Sequence, residues 1–188
     1  MAADTRDRVV EATVAALQRH GVAGMSFTDV LRESGAARGA IYHHFPGGKR
    51  QLVAEAAGLN GRQVRERLAE LPADSPSAVV AAFLAAVRPV VHASTTGGGC
   101  AVAAVTVDAG FEPGGQEDLR RAADTAFSAW TEQLAERLAT AGLGGDQARD
   151  LATTLVMLLE GAHVLCRASG SLDPFERAAR TAAGLVRD

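Results

Sequence analysis

Residues 26–49, SFTDVLRESGAARGAIYHHFPGGK, gather the side chains best suited to specific chemistry. Arg38 carries a planar fork of donors that matches the O6 and N7 acceptors of guanine. Tyr42 lies one helical turn further on, on the same face, and can pack on or hydrogen-bond to bases or backbone. Gly39 lets the main chain approach bases or a phosphate closely. His43, His44 and Lys49 suit phosphate contacts, which position a protein on DNA without reading its sequence. Ser26 joins this set at the start of the segment.

Those side chains need two short helices and a tight turn to hold them. Ser26 followed by Asp29 resembles a capping box, with Asp in the usual Glu position. Phe27, Val30 and Leu31 give the first helix one apolar face. Gly35 stands where that helix must stop, in the left-handed conformation that costs glycine least. A second helix is expected over about 37–45, with Ala40, Ile41 and Phe45 inward and Arg38, Gly39, Tyr42 and His43 outward. Pro46, Gly47 and Gly48 end it. Helix, glycine turn, and a second helix with Arg near its start is the layout of a helix-turn-helix that reads the major groove. A helical hairpin with a solvated charged face is the plainer alternative.

The approach RDRVVEATVAALQRHGVAGMSFTDV and the run SGAARGAIYHHFPGGKRQL resemble the N-terminal domain of TetR-family transcriptional repressors. The resemblance is carried by Tyr42, His43, His44, Phe45 and Lys49, and covers about residues 4–60. Ala36 and Ala37 stand where the family often has Ser or Thr, which removes one hydroxyl–phosphate contact. The FPGGK form of the lysine segment, with GGGC at 97–100, is similar to the branch that includes lincomycin- and flavonoid-responsive repressors. The resemblance implies a dimer of readers on a palindromic operator, released by a small molecule bound in a helical C-terminal domain.

Charge is distributed accordingly. The chain has 188 residues and net charge −3, so the whole molecule is not a general polyanion binder. Residues 1–67 carry ten Lys/Arg against seven Asp/Glu, whereas residues 68–188 carry nine against fifteen. The positive end coincides with the reader, as electrostatic attraction to phosphate requires. Residues 1–15 are charged and lack the apolar run of a secretory signal, and no stretch of about 18 apolar residues stands out. A cytoplasmic protein with no membrane partner is expected, its two cysteines, Cys100 and Cys166, reduced.

The fold class expected is all-α, with about nine helices and no internal repeat. A first helix over 4–20, capped by Asp4 or Thr5, supports the reader from behind. Val10, Leu17, Phe27, Val30, Ile41 and Phe45 should then form one small core. Arg6 is free to reach phosphate or to stay solvated. A helix over 48–71 spans roughly 35 Å at about 1.5 Å per residue and can act as a lever. Pro72 to Pro76 breaks it, and Ser75 or Ser77 starts the next. An apolar helix over 78–93 contains Pro89; a short helix follows over 100–109, then a turn at 111–115. Long helices are expected over 115–141 and 146–169, and a last one, capped by Asp173, runs to Val186. The expected domains are 1–48, the DNA reader, and 49–188, for ligand binding and dimerisation.

Enzymatic signals are weak. Glu160 and His163 give one Glu-x-x-His, where a di-iron bundle needs two such pairs and further carboxylates. PGGKR lacks the Ser/Thr of a phosphate loop. Cys100 sits at a helix start with only His92 as a nearby base, and no nucleophile, base and carboxylate series is evident. The expectation is no catalysis, no cofactor and no metal. A cavity for a small apolar or aromatic effector would draw on Phe83, Val87, Val102, Thr106, Phe127, Trp130, Met157, Glu160, His163 and Cys166. For each of these ordinary core packing is the plainer reading. Leu155, Leu159, Ala179, Ala182, Ala183 and Leu185 are the expected dimer interface, with small residues allowing close helix approach. The alternatives to a ligand-responsive repressor are a DNA-binding scaffold without an effector and a helical metal or enzyme domain.

Overall fold

The computed structural model describes residues 2–107 and 117–186, with side chains from residue 5 onward. Among them every regular element is an α-helix, nine in all. They are α1 (Ala2–Gly24), α2 (Phe27–Ser34), α3 (Arg38–His44), α4 (Gly48–Ala69), α5 (Pro76–Ser94), α6 (Ala101–Val107), α7 (Glu117–Thr140), α8 (Gly145–Ser169) and α9 (Asp173–Ala183). The turn expected at 111–115 and the cap at Asp4 lie outside the described residues and side chains.

The chain packs as two compact units. The first comprises residues 1–62 and 100–126, and the second residues 63–99 and 127–188. This division by packing is separate from any division by function at 48/49.

In the first unit α1 backs α2, α3 and α6. Val10, Leu17, Val30, Ile41 and Phe45 are buried together with Val9, Leu52 and Val53, and half-buried Phe27 packs against them. Such burial contributes about 1.5–3 kcal/mol for each large side chain. Helix α1 starts at Ala2, so Thr5 lies inside it and does not cap it. Its helical geometry breaks at Gly21, whose φ of 66° and ψ of −176° turn the chain toward α2.

In the second unit α5, α8 and α9 pack on one another. Ser75 caps α5 by accepting from the Ala78 N–H at 3.3 Å, and Pro89 lies inside the helix without ending it. Asp173 does not cap α9; it is the first helical residue, Leu172 holds the cap position with no side-chain cap bond, and the Asp173 N–H donates to Ser171 Oγ at 3.1 Å. Helices α5 and α8 are long and apolar enough to cross a bilayer by length and mean hydropathy, 1.5 and 1.3 respectively, contrary to the sequence expectation. Their packing on one another and on α9 buries part of that apolar surface, and the outer face of α8 stays exposed. Phe83, Trp130, Leu134, Leu138, Leu155 and Phe175 are almost fully buried here.

Candidate functional site

The reader is built from local signals. Ser26 Oγ accepts from the Asp29 N–H at 3.1 Å and donates to Asp29 Oδ2 at 2.6 Å. That hydroxyl bond, and secondarily Arg32, hold the exposed Asp29 carboxyl below the usual carboxylate range. Gly35 ends α2 at φ 65°, where a Cβ would strain the backbone. Ser34, which sequence reasoning passed over, donates to the Leu31 carbonyl and accepts from the Ala36 N–H, both at 3.3 Å. Ala37 then starts α3 with no side-chain cap.

Helix α3 turns Ile41 inward, and Phe45 just after it is also buried. Arg38, Gly39 and His43 are exposed, and Tyr42 is 69% exposed. Among the described residues Arg38 has no ion-pair partner, whereas most nearby arginines are engaged. Arg32 pairs with Asp29, Arg19 with Glu33, and Arg50 with Asp118. The half-buried His44 stacks edge-on against His43 and Phe45, with ring centroids 4.9 Å and 6.3 Å away.

Three residues expected to meet phosphate are engaged within the protein. Ser26 uses its hydroxyl as donor and acceptor in the cap. Lys49 Nζ donates to the Met25 carbonyl at 2.9 Å. Arg6 pairs with Glu55 at 2.5 Å and lies over the Phe45 ring, 5.5 Å from its centroid, with its side chain still partly open to solvent. An open groove of about 760 Å³ lies beside that pair, between α1 and α4. Its rim carries Asp7, Glu11, Glu55 and Arg62, and none of the ten residues expected around an effector lines it.

Of those ten, Phe83, Trp130, His163 and Cys166 are buried in the second unit, with Val87, Phe127 and Glu160 half-buried there. Phe127 meets Trp130 edge-on at 5.1 Å. Val102 is buried and Thr106 exposed, both in the first unit. Met157 is 69% exposed on the outer face of α8, so it does not line an enclosed cavity of this chain. His163 is held from another helix. Its Nδ1 meets Ser94 Oγ at 2.6 Å, a residue far away in sequence. Burial, and secondarily the Arg167 charge, push His163 down to about 4, so it is neutral at physiological pH. Arg167 in turn donates to the carbonyls of Gly97 and Gly98, closing the turn after α5.

Three of the residues expected at a dimer interface point inward. Leu155, Leu159 and Ala182 are buried within the protomer and unavailable to a second copy. The outer face of α8 is instead Met157, Gly161, Val164 and Leu165, at spacings that fall on one side of a helix. Ala179 is half-buried, and Ala183 and Leu185 are exposed.

The cysteines are free thiols. Cys100 Sγ accepts from the Ala103 N–H at 3.3 Å, a local role at the start of α6. Among the described residues no group of three or more His, Cys, Asp or Glu side chains is placed to hold a metal ion.

Two family models match this chain. Residues 9–56 match the bacterial regulatory proteins of the tetR family. Residues 76–181 match the C-terminal domain of LmrA/YxaF-like transcriptional regulators. An uncharacterised HTH-type transcriptional regulator of Mycobacterium tuberculosis is 33% identical over 176 residues, covering 91% of this chain and 88% of that protein. The HTH-type transcriptional regulator LmrA of Bacillus subtilis is 27% identical over 164 residues, 86% of each. A TetR regulator of Chloroflexus aurantiacus superposes with TM-score 0.77 at 25% identity, covering 97% of this chain and 94% of that one. A TetR-family regulator of Agrobacterium tumefaciens shares the fold over the full length of both chains, with TM-score 0.81 at 21% identity.

Proposed function

Because the chain belongs to the TetR family of bacterial transcriptional regulators, we propose that it represses transcription by occupying a palindromic operator as a homodimer. The observation that carries this is the outward face of α3. Arg38 and Tyr42 stand exposed one turn apart, and Arg38 has no ion-pair partner among the described residues. A desolvated guanidinium needs a compensating acceptor, and a guanine edge supplies two. Gly39 brings the α3 backbone close to the groove, and His43 and His44 face phosphate.

Residues 1–48 form the reader in this account, and residues 49–188 bind the effector and the second copy. The effector is a small apolar or aromatic molecule held among Phe83, Val87, Phe127, Trp130, Glu160, His163 and Cys166. Similarity to LmrA supports placing this regulator in the lincomycin- and flavonoid-responsive branch. The second copy covers the outer face of α8, with Met157, Gly161, Val164 and Leu165, and the exposed Leu185 is a further candidate. The protein works in the cytoplasm and is not an enzyme. Effector binding favours the conformation in which the paired readers no longer match their half-sites.

Titration of DNA from upstream of the gene, with an effector screen on the bound complex, tests the proposal. Selective binding that an apolar aromatic compound reverses supports it. Selective binding that no small molecule alters would favour a scaffold without an effector.

A further inference from the structure

Lysine occurs once in this chain, at position 49, against eighteen arginines. The position is unusual in structure as well. Lys49 lies in the first turn of α4, directly past the exit of the helix-turn-helix. Its ammonium donates to the carbonyl of Met25, the residue just before the Ser26 cap at the entry. One charge-assisted hydrogen bond thus joins the two ends of the segment that contains α2, the Gly35 turn and α3. The side chain is half-buried and reaches back to that carbonyl. A slender stem ending in a compact ammonium meets a single main-chain carbonyl; the wide planar guanidinium that serves at every other basic position is shaped for paired acceptors.

We propose that Lys49 is a positioning residue for base recognition, tethering the entry of the reader to its exit. The proposal rests on the DNA-reading role of α3 and deepens it. Arg38 and Tyr42 project from a helix of seven residues, which packing on α1 alone holds at few points. Closing the segment at Met25 and Lys49 fixes the angle at which that helix leaves the protein. Arg6 reinforces the same exit by lying over Phe45 and pairing with Glu55 on α4.

The two roles of a lysine separate cleanly in binding experiments. A phosphate contact adds equally to operator and scrambled DNA, and each one lost lowers the salt slope by about 0.9, so about 1.8 for two readers. A tether adds only to the operator. For Lys49→Met the expected result is operator affinity reduced about tenfold or more, scrambled-DNA affinity within about twofold of wild type, and an unchanged salt slope. General destabilisation would lower both affinities together by removing active protein. Parallel weakening with a reduced slope, or no change on either DNA, overturns the proposal.

Hydrogen exchange without DNA tests the tether independently of operator binding. The Asp29 and Val30 amides, which bond to Ser26 Oγ and to the Ser26 carbonyl, should exchange about tenfold faster in Lys49→Met. Unchanged exchange there overturns the tether even where wild type binds its operator. Failure of wild type to select any DNA would instead remove the reading on which the proposal rests. If Lys49→Met does not fold, Lys49→Gln removes the charge with less loss of polarity, and the same pattern is expected of it.

Discussion

Helices α3 and α8 each leave a face uncovered within the described chain, and the faces are chemical opposites. That of α3 is polar, with Arg38, Tyr42 and His43 above a buried Ile41. That of α8 is apolar, with Met157, Gly161, Val164 and Leu165 above a buried Leu155 and Leu159. Each helix is secured inward by the same hydrophobic burial, so the difference lies in what the outward face can tolerate in water. An exposed guanidinium and phenol are stable while solvated and gain on meeting base edges. An apolar stripe of that length is costly alone and gains on meeting another apolar surface. The two partners proposed here, a polyanion for α3 and a second copy for α8, match that difference.

Breaking the α8 face should have the largest effect. Val164→Glu with Leu165→Glu places like charges on the proposed contact between copies. The expected result is a monomer by analytical ultracentrifugation, with operator affinity lowered more than about 100-fold because the second reader is no longer held close. The same double variant should leave the helical circular dichroism intact, since both positions are exposed.

Breaking the α3 face comes next. Arg38→Ala should cost about 1–3 kcal/mol for each guanine contact, roughly 5- to 150-fold in operator affinity, and relax selectivity at that base. Scrambled DNA should be affected far less. Tyr42→Ala should weaken the operator by a smaller factor, and both variants should remain dimers.

The buried His163 belongs to the second region and sharpens the contrast, since its electrostatics serve the fold. Its ordinary value of 6.5 is lowered to about 4 in the folded state. Between those values the unfolded chain takes up a proton that the folded chain refuses. Stability is therefore complete above about pH 6.5 and declines as pH falls toward 4. The loss is about 3 kcal/mol at about 1.4 kcal/mol per pKa unit. Denaturant midpoints measured from pH 7 to 4.5 should show that decline, and His163→Asn should flatten it.

The smallest effect concerns Ser26, where a cap and a DNA contact make different predictions. Loss of the cap in Ser26→Ala should lower stability by about 1 kcal/mol in thermal melts. The salt slope of DNA binding should stay as in wild type. A slope reduced without any loss of stability would return Ser26 to the phosphate contacts.

What could be read from the sequence was local. The Ser26 cap, the Gly35 turn and the inward Ile41 and Phe45 each depend on neighbours within a few residues, and the structure has them as expected. The outward phase of α8 was not legible, because Leu155, Leu159, Val164 and Leu165 are all apolar and no polar side marks which face is outside. The bond from Lys49 to Met25 was not legible because its acceptor is a main-chain carbonyl, which no side-chain pattern encodes. Ser94 and His163 meet across the packing of α5 and α8, so neither announces the other. Asp173 looked like a cap, but it is the first residue of α9 and Leu172 holds the cap position, a shift of one residue of the size expected at helix ends.

The central claim is that α3 reads DNA in a sequence-specific way. Its most direct test is fluorescence anisotropy with labelled DNA from upstream of the gene and with scrambled DNA of the same length, at two salt concentrations. The account predicts tight binding to the first, at least about 1,000-fold weaker binding to the second, and a steep loss of both with salt. Equal affinity for the two DNAs, in protein verified to be dimeric and free of bound small molecules by mass spectrometry, would contradict it.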